Sequence, residues 1–316
     1  FLYLYMNKFL KYSIREPLPD ERKISYSQFS MYSTCPKHWE LAYAKGLRTF
    51  SQSIHTIFGT AMHETLQHYL TVMYDESATA ADKIDLNKYL KDQMYNLYKE
   101  AVDKMESHFS NKFELGEFYE DGVAIIDWFK KKRGQYFSRK NEELIGIEVP
   151  IYHPVEEGND KVMMLGYLDI VMRDKRDNKI TIIDIKTSTM GWNKYQKADK
   201  TKTSQLVLYK KYFAEQYGYD VDKIDVKYMI VKRKLIEGAM FPQKRITEFS
   251  PASGKPTRNK LAREIKGFVE SAFNADGSYN LERKYPAIAG KNNKHCKWCE
   301  FKDQPDLCAK AERLKG

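Results

Sequence analysis

Two aspartates and a lysine in a short stretch hold the strongest chemical promise in this chain. Asp169 closes the run Gly166-Tyr-Leu-Asp169, and Asp184-Ile185-Lys186 follows Thr181-Ile-Ile. Between them, Asp174-Lys-Arg-Asp-Asn178 reads as a polar turn, so two β-strands would pair across it and bring Asp169 beside Asp184. Alternation along a strand puts Asp184 and Lys186 on one face and Ile185 on the other. Facing carboxylates repel one another unless a cation lies between them, and hard carboxylate oxygens suit Mg²⁺ or Mn²⁺. A lysine beside that cation can orient or deprotonate an attacking water, or stabilise charge on a phosphate. Asp-x-Lys is common on solvated strands. Here Ile182, Ile183 and Ile185 mark a buried strand, where isolated charges are expensive.

Four cysteines form a second constellation: Cys35, then Cys296, Cys299 and Cys308. Cys296-Lys-Trp-Cys299 has metal-ligand spacing. Phe1–Tyr5 is apolar, yet no long apolar run with a small-residue cleavage site follows it. No signal peptide is therefore expected, and Met6 stands as a natural start. A reducing, cytoplasmic setting then favours metal binding over disulfides. Four thiolates suit structural zinc or an iron–sulfur cluster. Cys35 lies so far upstream that any shared metal would couple its binding to folding of most of the chain.

The elements that must position these residues fall into two regions. Ile24-Ser-Tyr-Ser leads into a helix through about Lys45, with Ser25 or Ser27 as N-cap. Apolar spacings of three and four predict a helix over Ile57–Met73, and helical patterns continue through Leu86–Phe109 and Glu117–Phe137. The polar stretch Glu76–Asp85 reads as a loop. From about Glu143 the character turns to strands: Leu144–Tyr152, Val162–Met172, Lys179–Ile185 and Ile224–Val231. A helix over Thr201–Tyr217 makes the last two strands a crossover unit, right-handed by the usual rule. Another helix spans Pro256–Phe273. The organisation expected is an N-terminal extension (1–24), a helical region carrying Cys35 and His63 (25–142), an α/β core (143–275) and a cysteine-rich tail (276–316).

Lys and Arg number 53 against 43 Asp and Glu, a net charge of +10, which favours a polyanionic partner. No apolar run is long enough for a membrane span. After Lys186, Trp192, Lys194, Tyr195 and Lys197 interleave aromatic rings with cations, a pattern suited to guiding a DNA strand. Lys232 and Arg233 at the end of the fourth strand could hold backbone phosphates.

Read in order, Gly59-x3-His63, Glu148, Gly166-x2-Asp169, Asp184-x-Lys186 and Gln205-x3-Tyr209 resemble the RecB-type branch of the PD-(D/E)XK nucleases. The likeness covers about Ser25 to Cys308. It implies a restriction-endonuclease-like α/β core, a mixed sheet flanked by helices. It also implies metal ligands at His63, Asp169, Asp184 and the Ile185 carbonyl, and a catalytic set of Asp169, Asp184, Lys186, Gln205 and Tyr209. One cysteine before the core and three after it, with Cys35-Pro-x2-Trp39, resemble the iron–sulfur branch, which includes bacterial helicase–nucleases and a CRISPR-associated nuclease. That likeness implies a 4Fe–4S cluster on Cys35, Cys296, Cys299 and Cys308, with Zn²⁺ as the alternative. The Cys299-x8-Cys308 interval is wider than the branch's pattern. The activity implied is Mg²⁺- or Mn²⁺-dependent hydrolysis of DNA, as an exonuclease on single strands or ends in recombination, repair or replication. No Gly-Lys-Ser/Thr phosphate loop is present, so unwinding would need a helicase or recombination partner. A non-catalytic DNA-binding or recombination-assembly module that keeps the cluster, or an RNA nuclease, are the other readings.

Overall fold

A computed structural model describes residues 12–315; Phe1–Tyr5 and Met6 lie outside them. Its framework is a six-stranded mixed sheet. The two longest strands, β2 (Glu142–Glu156) and β3 (Asn159–Asp174), pair antiparallel along their length. Two strands share the other edge of β3: β1 (Arg22–Ile24) runs parallel to Val162–Met164, and β4 (Ile180–Ser188) runs antiparallel to Ile170–Arg173. β5 (Ile224–Lys232) lies parallel to β4, and β6 (Ile246–Phe249) closes the sheet antiparallel to β5. β1 and β6 have only three and four residues, too few to leave a periodic signature. β1 also brings residues of the expected N-terminal extension into the sheet.

The N-terminal segment differs from the single helix expected through Lys45. α1 (Tyr26–Thr34) starts under Ser25, whose hydroxyl accepts from the Gln28 N–H. It stops at Cys35, which is extended, and α2 (Pro36–Trp39) restarts from Pro36 before a π-helical turn over Glu40–Ala44. Proline disfavours the helical conformation in the residue before it and is well suited to a first helical turn. The chain is thus broken at the cysteine.

α3 (Ile54–Asp75) begins in a reciprocal capping box between Ser53 and Thr56. The stretch expected to be a loop contains a short helix, α4 (Ala78–Asp82), capped by Ser77. α5 (Leu86–Met105) and α6 (Lys112–Lys132) follow, then α7 (Lys194–Ala198), α8 (Lys200–Tyr217) and α9 (Lys255–Ala272).

The sheet separates two apolar layers. Ile180, Ile182, Tyr228 and Ile230 pack with α1, α8 and α9. Ile183, Ile185, Met229 and Val231 pack with α3, α5 and α6. Ile182 and Ile183 thereby face opposite layers, and the alternation carries Asp184 and Lys186 toward α8. The helical region and the strand region bury their apolar faces against each other, so each layer draws on both.

Candidate active site and cysteine cavity

The β3–β4 ladder runs from Arg173↔Ile180 to Ile170↔Ile183 and ends there. One step further Asp169 would face Asp184, but the two strands part. Asp169 Oδ2 instead accepts the Ile185 N–H at 2.7 Å, a side chain standing in for the missing strand carbonyl. Across β3, the register Ile147↔Ile170 and Val149↔Leu168 leaves Glu148 opposite Asp169. Glu148 has φ +50°, a left-handed conformation that costs a side-chain-bearing residue about 1–3 kcal/mol. Such strain persists only where its surroundings hold it. Gln67 on α3 supplies the tie: its Nε2 donates to Glu148 Oε1 at 2.6 Å and to the Asp169 carbonyl at 3.2 Å.

His63, one turn before Gln67, sets its Nδ1 3.6 Å from Asp169 Oδ2. Burial, aided by the Lys186 charge, lowers the His63 pKa to about 3, so the ring is neutral at neutral pH. Burial raises the Asp169 carboxyl well above the usual range, and the charges of Asp184 and Glu148 raise it further. Asp184, only 3 % exposed, is raised by burial and partly relieved by Lys186. Glu148 is raised by burial, against the Gln67 hydrogen bond. Burial would lower Lys186, but Asp184 and Asp169 more than offset it and its pKa is raised.

Lys186 Nζ lies 2.9 Å from Asp184 Oδ2, but that buried oxygen accepts no aligned hydrogen bond. Three carboxylates therefore face one ammonium, and the buried Asp184 oxygen has that ion pair as its one neutralising contact. A divalent cation fits such a donor set: hard oxygens, a neutral imidazole and a charge deficit. The ligand atoms are spread, however. Among the described residues the one set of three within 4.8 Å of one another is His38, Cys299 and Glu300.

α8 completes the notch. Gln205 Oε1 accepts from Lys186 Nζ at 3.1 Å, while its Nε2 donates to the Tyr209 hydroxyl at 3.3 Å. A Cβ on Gly166 would stand 2.8 Å from the Tyr209 ring, and one on Gly59 3.0 Å from Thr187 Oγ1. Glycine at these points lets α8 approach β3 and α3 approach β4. His63, Glu148, Asp169, Asp184, Ile185, Lys186, Gln205 and Tyr209 are thus gathered at one notch. Gln67 escaped sequence reading, although its place four residues after His63 on one helix face was a usable signal.

The cation-and-ring residues expected to touch DNA divide. Tyr195 is 74 % exposed, with Lys194 Nζ 5.1 Å from its ring centre. Trp192 is half-buried against Tyr228, ring centres 5.0 Å apart. Lys197 lies over Phe249, and the Lys232 stem packs on Gly191. Arg233 must be corrected. It is 9 % exposed, lies 3.9 Å over the Phe118 ring, and binds Glu117 at 3.0 Å and Asp121 at 2.6 Å. Its charge is consumed inside the fold, so it has none to offer a phosphate.

Cys35, Cys296, Cys299 and Cys308 line one cavity, together with His38, His295 and Arg313. Several contacts draw the tail there. Lys37 N–H donates to the Pro286 carbonyl, and the Ile288 N–H reaches Cys35 Sγ at 3.3 Å. Ala287–Ile288 (β7) and Arg313–Leu314 (β8) form a parallel pair. Trp39, fully buried, is ringed by Phe268, Phe273, Tyr279 and Tyr285. His38 Nε2 meets Glu300 at 2.9 Å. Burial pushes the Cys299 thiol up to about 11, with neighbouring Cys35 and Cys308 contributing. Four thiols lining one cavity and an N–H···S bond have the chemistry of a thiolate-held metal group, although the three ligand atoms closest together are those of His38, Cys299 and Glu300.

Residues 23–304 match the PD-(D/E)XK nuclease superfamily, and the chain belongs to it. That superfamily consists of nucleases that use divalent metals, and the mixed sheet flanked by helices is its fold. No curated protein sequence matches the chain. No helix among the described residues is long and apolar enough to cross a membrane.

Proposed function

We propose that the chain is a Mg²⁺- or Mn²⁺-dependent deoxyribonuclease of the RecB-type branch, acting as an exonuclease on single-stranded DNA or DNA ends. The observation that carries this reading is the notch itself, where buried Asp184, Asp169 and Glu148 share the single ammonium of Lys186. Asp169, Asp184, His63 and the Ile185 carbonyl would hold the cation. When bound, the cation would supply an acidified water and charge on a phosphate oxygen.

The chain's own groups do the rest. Lys186 Nζ, steered by Gln205 and the two aspartates, offers a proton donor or a positive charge at the phosphate. Gln67 holds Glu148 and the Asp169 backbone in position. Tyr209 orients Gln205 and fills the face left open by Gly166. Lys194, Tyr195, Lys197 and Lys232, which follow the C-terminal ends of β4 and β5, would guide the strand, with Trp192 packed behind them on Tyr228. The protein's net charge supports a polyanion as substrate.

The cysteine cavity is proposed to hold a 4Fe–4S cluster, with zinc as the alternative. A role in recombination, repair or replication, beside a helicase, is what the branch resemblance suggests, and a reducing cytoplasm suits four metal-binding thiols. End-labelled single- and double-stranded DNA, incubated with Mg²⁺, Mn²⁺ or EDTA, tests the activity. Cleavage should need the metal and disappear in Asp169→Ala, Asp184→Ala and Lys186→Ala, with DNA binding largely kept. Full activity in any of the three would remove the site assignment.

A further inference from the structure

We propose that the loop between β5 and β6, residues 233–245, presents Met240 and Phe241 to unpaired bases of the strand being cut. The proposal rests on the nuclease reading above.

Met240 is 91 % exposed, Phe241 79 % and Ile236 62 %. Large apolar side chains gathered at one exposed tip mark an interaction site more often than chance. The tip is not simply unheld. The Gln243 side chain accepts from the Ile236 N–H at 3.0 Å and donates to the Ile236 carbonyl at 2.7 Å. Gly238, at φ +66°, makes the turn inside that clasp. Below it, the Lys232 N–H donates to the Arg245 carbonyl at 2.7 Å, and Arg245 Nη1 donates to the Arg233 carbonyl at 2.8 Å. The neck is fastened twice, so the apolar tip is pre-organised away from the core rather than folded onto it.

Its position favours a nucleic acid. Arg233 N–H donates to the Ser188 carbonyl and Lys234 N–H to the Thr189 carbonyl, continuing the β4–β5 pairing past the strand ends. Thr189 is three residues beyond Lys186, about 10 Å at the rise of a strand. The loop therefore rises from the same end of the sheet as the notch. Exposed Lys244 and half-buried Lys232 stand on the two arms of the loop, with one exposed acid, Glu237, at the turn, while Lys234 is paired to Glu117 and Asp121. An apolar ring and a thioether bordered by cations match bases on a phosphate chain, since every base offers a face for Phe241 to stack on. A purely apolar protein partner would have no use for those lysines.

The test uses the full chain in EDTA, with fluorescein-labelled single-stranded DNA and a covalently closed duplex as probes. Met240→Ala/Phe241→Ala should weaken single-strand binding roughly tenfold or more. The slope of log affinity against log salt should not change, because no phosphate contact is lost. Closed-duplex binding should stay as in the wild type. These side chains touch little of the core, so an unchanged Tm should accompany the effect. Wild-type single-strand affinity in the variant would overturn the proposal, as would an equal loss on the closed duplex. Sedimentation showing a wild-type dimer that the variant dissociates would also overturn it, making the tip a contact between chains. Cleavage with metal separates the two readings. If the wild type cuts and the variant binds like it, only this inference falls; if the wild type neither binds nor cuts, both fall.

Discussion

The notch and the cysteine cavity are built in opposite ways. Around the notch, Asp169, Asp184 and Lys186 sit on paired strands, His63 and Gln67 on a long capped helix, and Gln205 and Tyr209 on another. Backbone hydrogen bonds and two apolar layers hold each element before any side-chain chemistry is considered. The cavity joins the helix break at Cys35 to a tail whose local structure is turns, short 3₁₀ segments and the two-residue strands β7 and β8. A small cluster of Leu41, Ala42 and Phe301 supports it on one side, and Trp39 with Tyr285 ties it to the larger core. A site on rigid elements tolerates loss of a functional group with little change in fold. A site made from loops depends on its own chemistry for cohesion.

The largest test of that contrast is Asp184→Asn. Cleavage should fall by roughly a thousandfold or more, because a proposed carboxylate ligand at the centre of the notch is removed. Stability should not fall with it. The folded-state pKa of Asp184 is raised, so its contribution to stability is full below the unfolded pKa and is lost as pH rises through the folded value. In EDTA near pH 8, asparagine should therefore give a Tm equal to or above that of the wild type, and the gap should close as the pH is lowered. A clear drop in Tm at pH 8 would show that the notch relies on Asp184 for its fold.

Cys299→Ser should reverse the pattern. Anaerobically purified wild type should be brown, and the variant should lose the visible absorbance. Each kcal/mol lost moves Tm by about 2–4 °C in a chain of this size, so losing a few should lower it by roughly 10 °C. Activity should fall only in step with the folded fraction. Zinc in place of iron would change the metal and leave the contrast intact. Free thiols on all four cysteines would break it.

Smaller effects sharpen the comparison. Gln205→Ala should slow cleavage about tenfold, less than Asp184→Asn, because it steers Lys186 without touching the metal. A rate as low as that of Asp184→Asn would mean Gln205 takes part in the chemistry itself. The smallest effect on activity should come from Arg233→Ala. It should lower Tm by several degrees, leaving Glu117 and the buried side of Asp121 with Lys234 as their one shared cation and the Phe118 ring uncovered. The salt dependence of DNA binding should be unchanged. Lys232→Ala should do the reverse, sparing Tm and flattening the salt slope.

The parts legible in the sequence were those carried by short-range rules. Ile182 and Ile183 marked a strand buried on both faces, and period-two alternation set Asp184 and Lys186 together against Ile185. Ser25 before its helical run announced one cap, and Pro36 after Cys35 held the signal for the break between α1 and α2. The ordering of His63, Asp169, Asp184, Gln205 and Tyr209 then sufficed for the superfamily. What tertiary structure decided involves partners far apart in the chain. Gln67 meets Glu148 81 residues away, and Arg233 meets Glu117 across 116. No periodicity records such pairs, because local spacing encodes which face a side chain takes and not what waits opposite. Lys232 and Arg233 are neighbours of the same charge in the sequence. Strand alternation sends one toward the rim and the other onto α6, where two carboxylates and the Phe118 ring absorb it.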